Sequence, residues 1–449
     1  MSKDVRIPKG LNIKLKGTAE KTLSDLPRSE VYTILPTEFH GITPKLYIKV
    51  GDVVQAGTIL FYSKTNELVK FASPVSGKVI DIVRGEKRRI LSIKIAADAS
   101  DSYKEFTPID PLKVSIYDLK NHLSESGCFP YFKQRPYDVI VNPNDTPRDI
   151  FISAFATAPL SIDESYAIAG LEKEFQMGIN VLTKLTSGKV HLSVCGNEVN
   201  FFNKVENVEI HRIFGKHPAG NVGIQINHIS PLVKNEKIWT IKPQDVVVIG
   251  KLFVTGKYDS TRVFALAGSE VAKPQYYKAK PGVELSKILK DQVANSNVRF
   301  IDGDVLSGNK ISNVASLGFY TNLISAIPEG NYYTFFGWMP FTQNQKLSLS
   351  RTFLNWMTPS KEYTLDTNLN GEERALVVTG EMEKVFPMDI YPMQLLKAAL
   401  AGDIEKMENL GIYEVAPEDF GLIDFSNTSK LEAQAIIREA LDLMIKEVG

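Results

Sequence analysis

Aromatic and hydrogen-bonding side chains crowd one short stretch, ESGCFPYFKQRPYD, which runs from Glu125 to Asp138. Aromatic faces can stack on a flat, uncharged ring, and an amide or guanidinium group can donate a hydrogen bond to a ring carbonyl. The alternative is that the aromatic side chains belong to the core and the charged ones face solvent. Residue types alone leave both interpretations open for the candidate ring-binding residues, which are Phe129, Tyr131, Phe132, Gln134 and Arg135.

A second candidate for chemistry is VGDVVQAGTILFYSKTNELVKFASPVSGKVIDI, which resembles the swinging-arm domains that carry biotin or lipoate on a hairpin lysine. Counting back the usual eight residues from Pro74, which opens the returning half of the motif, reaches Asn66. An asparagine cannot form the required amide, and the nearest lysines are Lys64 and Lys70. We therefore expect an unmodified β domain that serves in packing or docking, because fold alone does not imply function.

Glycine spacing argues against a standard nucleotide site. A pyrophosphate needs backbone amides that residues without side chains bring close. No two of the 30 glycines are separated by a single residue, so neither GxGxxG nor a P-loop occurs. The nucleophile motif GxSxG is absent as well.

Histidines and cysteines show no recognisable metal spacing. His217 and His228 lie eleven residues apart in KHPAGNVGIQINHISP, whereas paired helical zinc ligands lie much closer together. We expect HPAG to form a turn whose imidazole is satisfied by local backbone, and His40 to be a loop residue. Cys128 and Cys195 are too few for a four-thiolate cluster, and nothing pairs Cys128 with a base.

A chain of 449 residues exceeds one hydrophobic core and predicts several domains. Short apolar runs between turn residues predict an all-β unit over residues 31–94. The helical patterns SIYDLKNHL and SYAIAGLEKEFQMGINVLTKL alternate with the strand patterns DVIVNPND, DIFISAF, KVHLSV and NVEIHRIF, which predicts a Rossmann-like parallel sheet between about 101 and 250. The apolar runs DVVVIGKLFVTG and TRVFALAG are predicted as strands, and GVELSKILKDQ as a short helix of a β-grasp-like module.

The C-terminal part changes character twice. Strand formers and turn residues dominate 342–380, and helical patterns follow. The last helix is predicted to begin at Ser429, three residues ahead of Glu432, with Leu431, Ile437, Leu441 and Met444 near one face. We therefore predict an α/β multidomain protein with a barrel-sandwich β domain at 1–100, a Rossmann-like domain at 101–250, a β-grasp-like module at 251–330, a β-rich segment at 331–380 and a helical domain at 381–449.

Charge and hydropathy limit the partners and the location. The 52 basic and 52 acidic side chains cancel, which gives no electrostatic argument for nucleic acid or an acidic membrane surface. MSKDVRIPKGLNIKL lacks the apolar stretch of a signal peptide, and no run reaches the roughly 18 apolar residues of a membrane span. The expected location is cytoplasmic, with membrane contact through a partner.

Several motifs in combination carry a resemblance over nearly the whole chain. The chain resembles the NqrA family of sodium-translocating NADH:quinone oxidoreductases in IPKGLNIKLKG, HGITPKLYIKVGDVVQAGTILF, KQRPYD, ISAFATAPLS, KHPAGNVG, QDVVVIGKLFVTG, RVFALAG and FPMDIYPMQLLKA. That family is similar to the C subunit of the Rnf complex and to the flavin-carrying subunit of respiratory complex I. The resemblance implies that the β-grasp-like module is of the SLBB type and the Rossmann-like domain degenerate.

The flavin-binding relatives hold FMN and NADH with a loop of the form GGAGFPT followed by a lysine. The corresponding stretch here is SGCFPYFK, which keeps Phe129 and Pro130. Cys128 breaks the glycine pair, and Tyr131 and Phe132 add bulk where backbone would face phosphate. The cysteine cluster of the relatives is also missing. The resemblance thus implies a redox subunit with no flavin, nicotinamide, covalent cofactor, metal or iron–sulfur cluster of its own.

The family places such a chain at the quinone end of a sodium-pumping complex, peripheral on the inner face of the bacterial cytoplasmic membrane. The implied partners are the other subunits, including integral membrane subunits, and quinone as a bound substrate. Phe129, Tyr131, Phe132, Gln134 and Arg135 are then the expected quinone contacts, with no activity in the isolated chain. The alternative is a purely structural docking subunit of the same complex without a ligand.

Overall fold

The computed structural model describes residues 2–293, 295–337, 339 and 346–449. The strands of this part are β1 Asp4–Ile7, β2 Glu20–Asp25, β3 Val31–Ile34, β4 Pro44–Leu46, β5 Val53–Val54, β6 Ile59–Ser63, β7 Asn66–Ala72, β8 Gly77–Arg84, β9 Ile90–Ala97, β10 Lys133–Arg135, β11 Val139–Ile140, β12 Ile150–Ser153, β13 Val190–Cys195, β14 Glu209–Gly215, β15 Ile238–Thr240, β16 Arg262–Ala267, β17 Gln275–Ala279, β18 Val298–Asp302, β19 Asn309–Ile311 and β20 Leu323–Pro328. The α-helices are α1 Ile116–Glu125, α2 Glu164–Ala167, α3 Glu172–Leu185, α4 Val222–Ile229, α5 Pro243–Thr255, α6 Ser286–Gln292, α7 Glu381–Val385, α8 Pro392–Ala401, α9 Ile404–Asn409, α10 Gly421–Ser426 and α11 Ala433–Glu447.

The barrel-sandwich prediction is confirmed. Two small sheets, with strand orders β3-β9-β8-β5 and β4-β6-β7, enclose one apolar core. Phe71 lies at its centre, with ring centroids 4.4 Å from both Phe39 and Phe61. Short antiparallel pairs build this unit, and register shifts interrupt the pairs β6–β7 and β8–β9.

The Rossmann-like sheet also forms, and it includes the N-terminal strand β1. Its strand order is β1-β14-β13-β12-β15-β10-β11. The first five strands in this order pair in parallel, and β10 pairs antiparallel with both β15 and β11. Strand β2 joins a different sheet, of order β19-β18-β20-β16-β17-β2. Strands β1 and β2, which lie in the predicted β domain at 1–100, thus pair with strands of the two neighbouring sheets.

The run DVVVIGKLFVTG forms helix α5, not the predicted strand. Pro243 occupies the first turn, where a missing N–H costs nothing, and Gly256 ends the helix with a φ of 69°. The helix is buried on nearly all sides, so its apolar residues do not show a helical stripe. A Cβ on Gly250 would lie 1.7 Å from Glu174 O, and one on Gly178 would lie 2.3 Å from Val246 O. Two glycines thus let α5 cross α3 at close range.

The remaining helix predictions are mostly confirmed. SIYDLKNHL forms α1, whose cap Ser115 accepts a hydrogen bond from Asp118 N, and GVELSKILKDQ contains α6. The long helix predicted from SYAIAGLEKEFQMGINVLTKL is divided into α2 and α3 at Gly170, which has a φ of 82°. TRVFALAG forms the central strand β16.

Two predictions near the C-terminus are wrong. The described residues of 331–380 contain no strand, only a 3₁₀ turn at Leu354–Met357 and a single bridge between Leu15 and Tyr363. The final helix begins at Ala433 rather than after Ser429, whose hydroxyl instead donates to Ala375 O at 3.1 Å. Helices α7 to α11 pack around a core shared with the parallel sheet. Within the described residues, no helix is long and apolar enough to cross a bilayer.

Candidate functional site

The predicted aromatic site is part of the core. The chain leaves α1, forms a 3₁₀ turn at Phe129–Tyr131 and enters β10. Phe129 and Phe132 are fully buried against Trp239, with ring centroids 6.5 Å and 5.5 Å away. These two side chains stabilise the junction of the turn with the parallel sheet.

Tyr131 makes its contacts on the side of the six-stranded sheet. Its ring stacks on Phe319 at 4.8 Å, and its hydroxyl lies 2.8 Å from that of Tyr258. Burial raises the pKa of Tyr131 well above the ordinary value. The Tyr320 hydroxyl adds a further hydrogen bond to this contact, which it donates to Pro130 O at 2.6 Å. Tyr131 therefore binds the α/β domain to the six-stranded sheet.

Gln134 and Arg135 contact different parts of the protein. Gln134 lies on β10 opposite Trp239, and its Oε1 has no hydrogen-bond partner. Arg135 crosses to the C-terminal helical region, where Nη2 donates to Glu418 Oε1 at 2.7 Å and Nη1 lies 3.7 Å from Asp419 Oδ2. The five predicted residues thus serve separate contacts and do not line one space.

The buried charges around Arg135 are unequal in acidity. Burial raises the pKa of Asp419 to about 7, although Arg135 opposes that effect. Burial also acts on Asp138, but the positive charges of Lys133 and Arg135 prevail and lower its pKa to about 2. A guanidinium held by carboxylates in this way is an interdomain tie, and its Nε and Nη1 have no hydrogen-bond partner of their own.

The turn that corresponds to a flavin-binding glycine loop is packed against the barrel-sandwich domain. Gly127 has a φ of 71°, and a Cβ there would lie 2.9 Å from Ala72 Cβ on β7. Ser124 Oγ donates to Leu68 O at 2.7 Å on the same strand. Cys128 is fully buried, and burial raises its pKa to about 12, which makes its thiol a poor nucleophile. No face of this turn is open to a phosphate.

The first turn of α4 is a second position where an anion would be favoured, because its backbone N–H groups are unpaired within the helix. The C-terminal region covers it. A Cβ on Gly223 would lie 2.5 Å from Asp419 Oδ2, and Asn221 Nδ2 donates to Glu418 O at 3.1 Å. The chain's own acidic residues thus occupy this helix terminus.

The swinging-arm hairpin turns at Lys64 and Thr65, between β6 and β7, so the count that placed Asn66 at the tip is wrong. Asn66 begins β7, and its Nδ2 donates to Asn142 Oδ1 in the α/β domain at 2.8 Å. Lys70 pairs with Glu125 at 2.5 Å. The hairpin is docked on its neighbour, whereas a swinging arm requires freedom to move.

A buried cluster of charges that the sequence did not reveal joins three domains. Arg262 donates to Asp245 Oδ1 at 2.7 Å, and Thr321 Oγ1 donates to Asp302 Oδ1 at 2.6 Å. Burial raises the pKa of Glu38 and of Glu164 to about 7. These residues come from positions 38 to 321, so only the tertiary fold brings them together.

A small cavity lies beside this cluster. Its volume is about 20 Å³, room for a water molecule. Glu38, Phe39, Phe71, Tyr258, Ser260 and Phe319 are among its lining residues. Ser260 Oγ has no protein partner, and Glu38 accepts a hydrogen bond from Phe319 N at 2.8 Å.

His191, Glu209 and His211 bring three ligand atoms within 4.8 Å of one another, a grouping that the sequence analysis did not identify. Lys3 N donates to His211 Nδ1 at 3.2 Å, so the proton of His211 resides on Nε2, which faces His191 Nδ1 at 2.9 Å. His191 Nε2 lies 3.5 Å from Asp149 Oδ1. A metal on His211 Nε2 would force a proton onto Nδ1 against the Lys3 N–H. The cluster therefore suits the attachment of β1 better than metal binding.

The histidines considered from sequence lie apart. His217 precedes a cis proline, and its Nδ1 lies 3.2 Å from Thr157 Oγ1. Burial lowers the pKa of His217 to about 4. His228 Nδ1 contacts Ile224 O at 2.9 Å within α4, and His40 pairs with Asp442 at 2.8 Å.

Models of known protein families match three parts of this chain. The model for the NqrA N-terminal barrel-sandwich hybrid domain matches residues 5–98, that for the NqrA second alpha/beta domain 114–258, and that for the NQRA C-terminal domain 263–313. The NqrA subunit of the Na(+)-translocating NADH-quinone reductase of Neisseria meningitidis serogroup B is 35% identical over 447 residues, which cover 99% of this chain and 100% of that protein. The chain belongs to the NqrA family.

Other members of the NqrA family show the same extent of similarity. The Hahella chejuensis protein is 36% identical over 448 residues, covering 99% of this chain and all of the relative. The Marinomonas protein is 33% identical over 445 residues, covering 98% and 99%. A solved NAD+-reducing NiFe-hydrogenase covers 68% of this chain and 55% of its own at 11% identity with a TM-score of 0.36, too low to carry an argument.

Proposed function

We propose that this NqrA-family chain is a cofactor-free docking subunit of a Na+-translocating NADH–quinone reductase and lies at the quinone-reducing end of that complex. The observation that carries the proposal is that two places suited to a nucleotide phosphate, the turn at Gly127 and the first turn of α4, are filled by the chain itself. Gly127 packs on Ala72, and Asp419 covers Gly223 at the start of α4. Flavin, nicotinamide and iron–sulfur chemistry would then belong to other subunits.

The cysteines support the same proposal. A four-thiolate cluster needs more than the two cysteines of this chain. Cys128 is buried in one core, and Cys195 ends β13 in the parallel sheet. The isolated chain is accordingly expected to have no redox activity, and catalysis to require the assembled complex.

The proposed position is peripheral, on the inner face of the bacterial cytoplasmic membrane, through contacts with integral membrane subunits. The names of the relatives support this position, because ion translocation requires subunits that span the membrane. The buried ties at Arg135 and Arg262 hold the domains in one arrangement, which suits a docking body.

Quinone contact at Phe129, Tyr131, Phe132, Gln134 and Arg135 is the competing proposal. One observation favours a quinone contact near the small cavity rather than at all five residues. The small cavity is lined by aromatic rings and by Glu38 and Ser260, the kind of lining that a quinone ring with two carbonyl acceptors requires. Tyr131 reaches this lining through Tyr258 and Phe319, and the cavity would have to widen to admit a ring.

Calorimetry and absorbance on the purified chain test the proposal. We expect a colourless protein that shows no heat of binding with FMN or NADH at micromolar concentrations. Titration with a short-chain quinone under the same conditions tests the competing proposal, which expects the chain to bind quinone. Stoichiometric flavin, or tight binding of either nucleotide, would overturn the cofactor-free function.

A further inference from the structure

Large apolar side chains are exposed along one segment, the aromatic arm, defined as residues 331–337 and 346–361. Tyr333 is 97% exposed and Phe335 87%. On the returning half, Trp356 is 54% exposed and Met357 62%. Several large apolar side chains exposed within one segment of a soluble protein indicate an interaction site.

The arm is held at its base, so its exposure is not that of a frayed terminus. It leaves from the end of β20, where Gly330 N donates to Thr367 Oγ1 at 2.9 Å, and it returns at the same point. Thr367 also donates to Glu329 at 2.9 Å. Further along, Tyr363 is buried and exchanges backbone hydrogen bonds with Lys14 and Lys16 at 2.9 Å and 3.0 Å. The two ends are fixed while the aromatic side chains face outward.

Charge distinguishes this segment from the rest of a chain with zero net charge. The sequence from 331 to 361 contains Lys346, Arg351 and Lys361 and no aspartate or glutamate. Arg351 is exposed and precedes Trp356 by five positions in the chain. Aromatic rings combined with basic side chains match the interfacial region of an anionic bilayer, where tyrosine and tryptophan concentrate and lysine and arginine meet phosphate.

A protein partner fits the charge less well. The cytoplasmic loops of membrane proteins carry an excess of lysine and arginine, which would repel a segment that has only positive charges. This step rests on the proposed cytoplasmic position. We propose that the aromatic arm lies in the headgroup region of an anionic lipid bilayer and provides a lipid contact beside the chain's contacts with other subunits.

Flotation of the purified full chain with vesicles tests this contact. We expect the chain to bind vesicles of phosphatidylcholine and phosphatidylglycerol, to bind vesicles of phosphatidylcholine alone more weakly, and to dissociate as salt rises. The double variant Tyr333→Ser/Phe335→Ser should lower the partition by on the order of tenfold, because two exposed rings no longer bury apolar surface.

The control is Tyr117→Ser/Val199→Ser, which removes side chains of similar exposure, 72% and 86%, on other surfaces and should bind as the parent does. Arg351→Glu should weaken binding to the anionic vesicles only. The proposal is overturned if the parent does not float with anionic vesicles, or if the arm variant binds as tightly as the parent. Loss of complex assembly in the arm variant, without any vesicle binding by the parent, would identify a protein partner and reject the lipid contact. None of these results depends on whether the chain binds a flavin.

Discussion

Arg135 and Glu418 form a hydrogen bond of 2.7 Å although 283 positions separate them in the chain. Asp419 lies beside this pair, fully buried, and covers the first turn of α4. One arginine thus ties the antiparallel edge of the α/β sheet to the C-terminal helices, at a point where a nucleotide-binding fold would leave space for an anion.

Removal of that arginine should destabilise the protein. Arg135→Ala leaves the buried Asp419 without its cation and removes one of the cations near Asp138, and we expect the free energy of unfolding to fall by on the order of 3 kcal/mol. Urea denaturation measures this value. Arg89→Ala is the control, because that arginine side chain is exposed and its removal should cost less than about 1 kcal/mol. Equal effects of the two variants would refute the interdomain tie.

Gly127 provides a second test of domain packing. Gly127→Ala places a Cβ 2.9 Å from Ala72 in addition to the strain of a positive φ, whereas Gly170→Ala has a similar φ of 82° and nothing within 4 Å. We expect Gly170→Ala to cost on the order of 1 kcal/mol and Gly127→Ala measurably more. Thermal unfolding of both variants compares them. If both lose the same stability, the turn is not packed on β7.

The pH dependence of stability should reflect the buried acids. Glu38, Glu164 and Asp419 have pKa values of about 7, well above the unfolded values near 4. Between those pH values the folded chain binds more protons than the unfolded chain, so these acids lower its stability as pH rises. His211 and His217 act in the opposite direction, since burial lowers both pKa values to about 4, but their effect is complete above about pH 6.5.

Stability should therefore decline between about pH 6.5 and pH 8. Glu164→Gln, which is neutral throughout, should reduce that decline by on the order of 1 kcal/mol. Urea denaturation at both pH values measures it. Glu329→Gln is the matched control, because the hydrogen bonds from Arg299 hold the pKa of Glu329 near 2, outside this range. An unchanged decline in Glu164→Gln would contradict the burial of that carboxyl.

Substitution of Phe132, which follows the 3₁₀ turn at Phe129–Tyr131, distinguishes the docking role from a quinone contact. Because Phe132 is fully buried against Trp239, Phe132→Ala should lower the free energy of unfolding by about 3 to 5 kcal/mol. In the assembled complex, NADH oxidation with artificial acceptors and quinone reduction should then decrease together, with an unchanged quinone KM. A selective five- to hundredfold rise in that KM, roughly the range for lost ring contacts, would favour the quinone site instead.

Sequence reasoning identified the barrel-sandwich, the parallel sheet and the family, because period-two strands, turn residues and combined motifs are local signals. It failed at α5, where a run of β-branched residues is buried on all sides and shows no helical stripe. It also failed to pair Arg135 with Glu418, or Arg262 with Asp245, since such contacts arise only from tertiary packing. Strand-pair histidines such as His191 and His211 were detectable, because KVHLSV and VEIHRIF were both predicted as strands.

The most direct test of the cofactor-free docking function is native mass spectrometry of the complex purified from its host through a tag on this chain. We expect other subunits and Na+-stimulated NADH–quinone reductase activity to copurify. The chain released from that complex should have the mass of its unmodified sequence, 50.0 kDa plus the tag, without bound FMN and without a group on Lys64 or Lys70. A chain that purifies alone, or one that carries flavin, biotin or lipoate, would contradict the account.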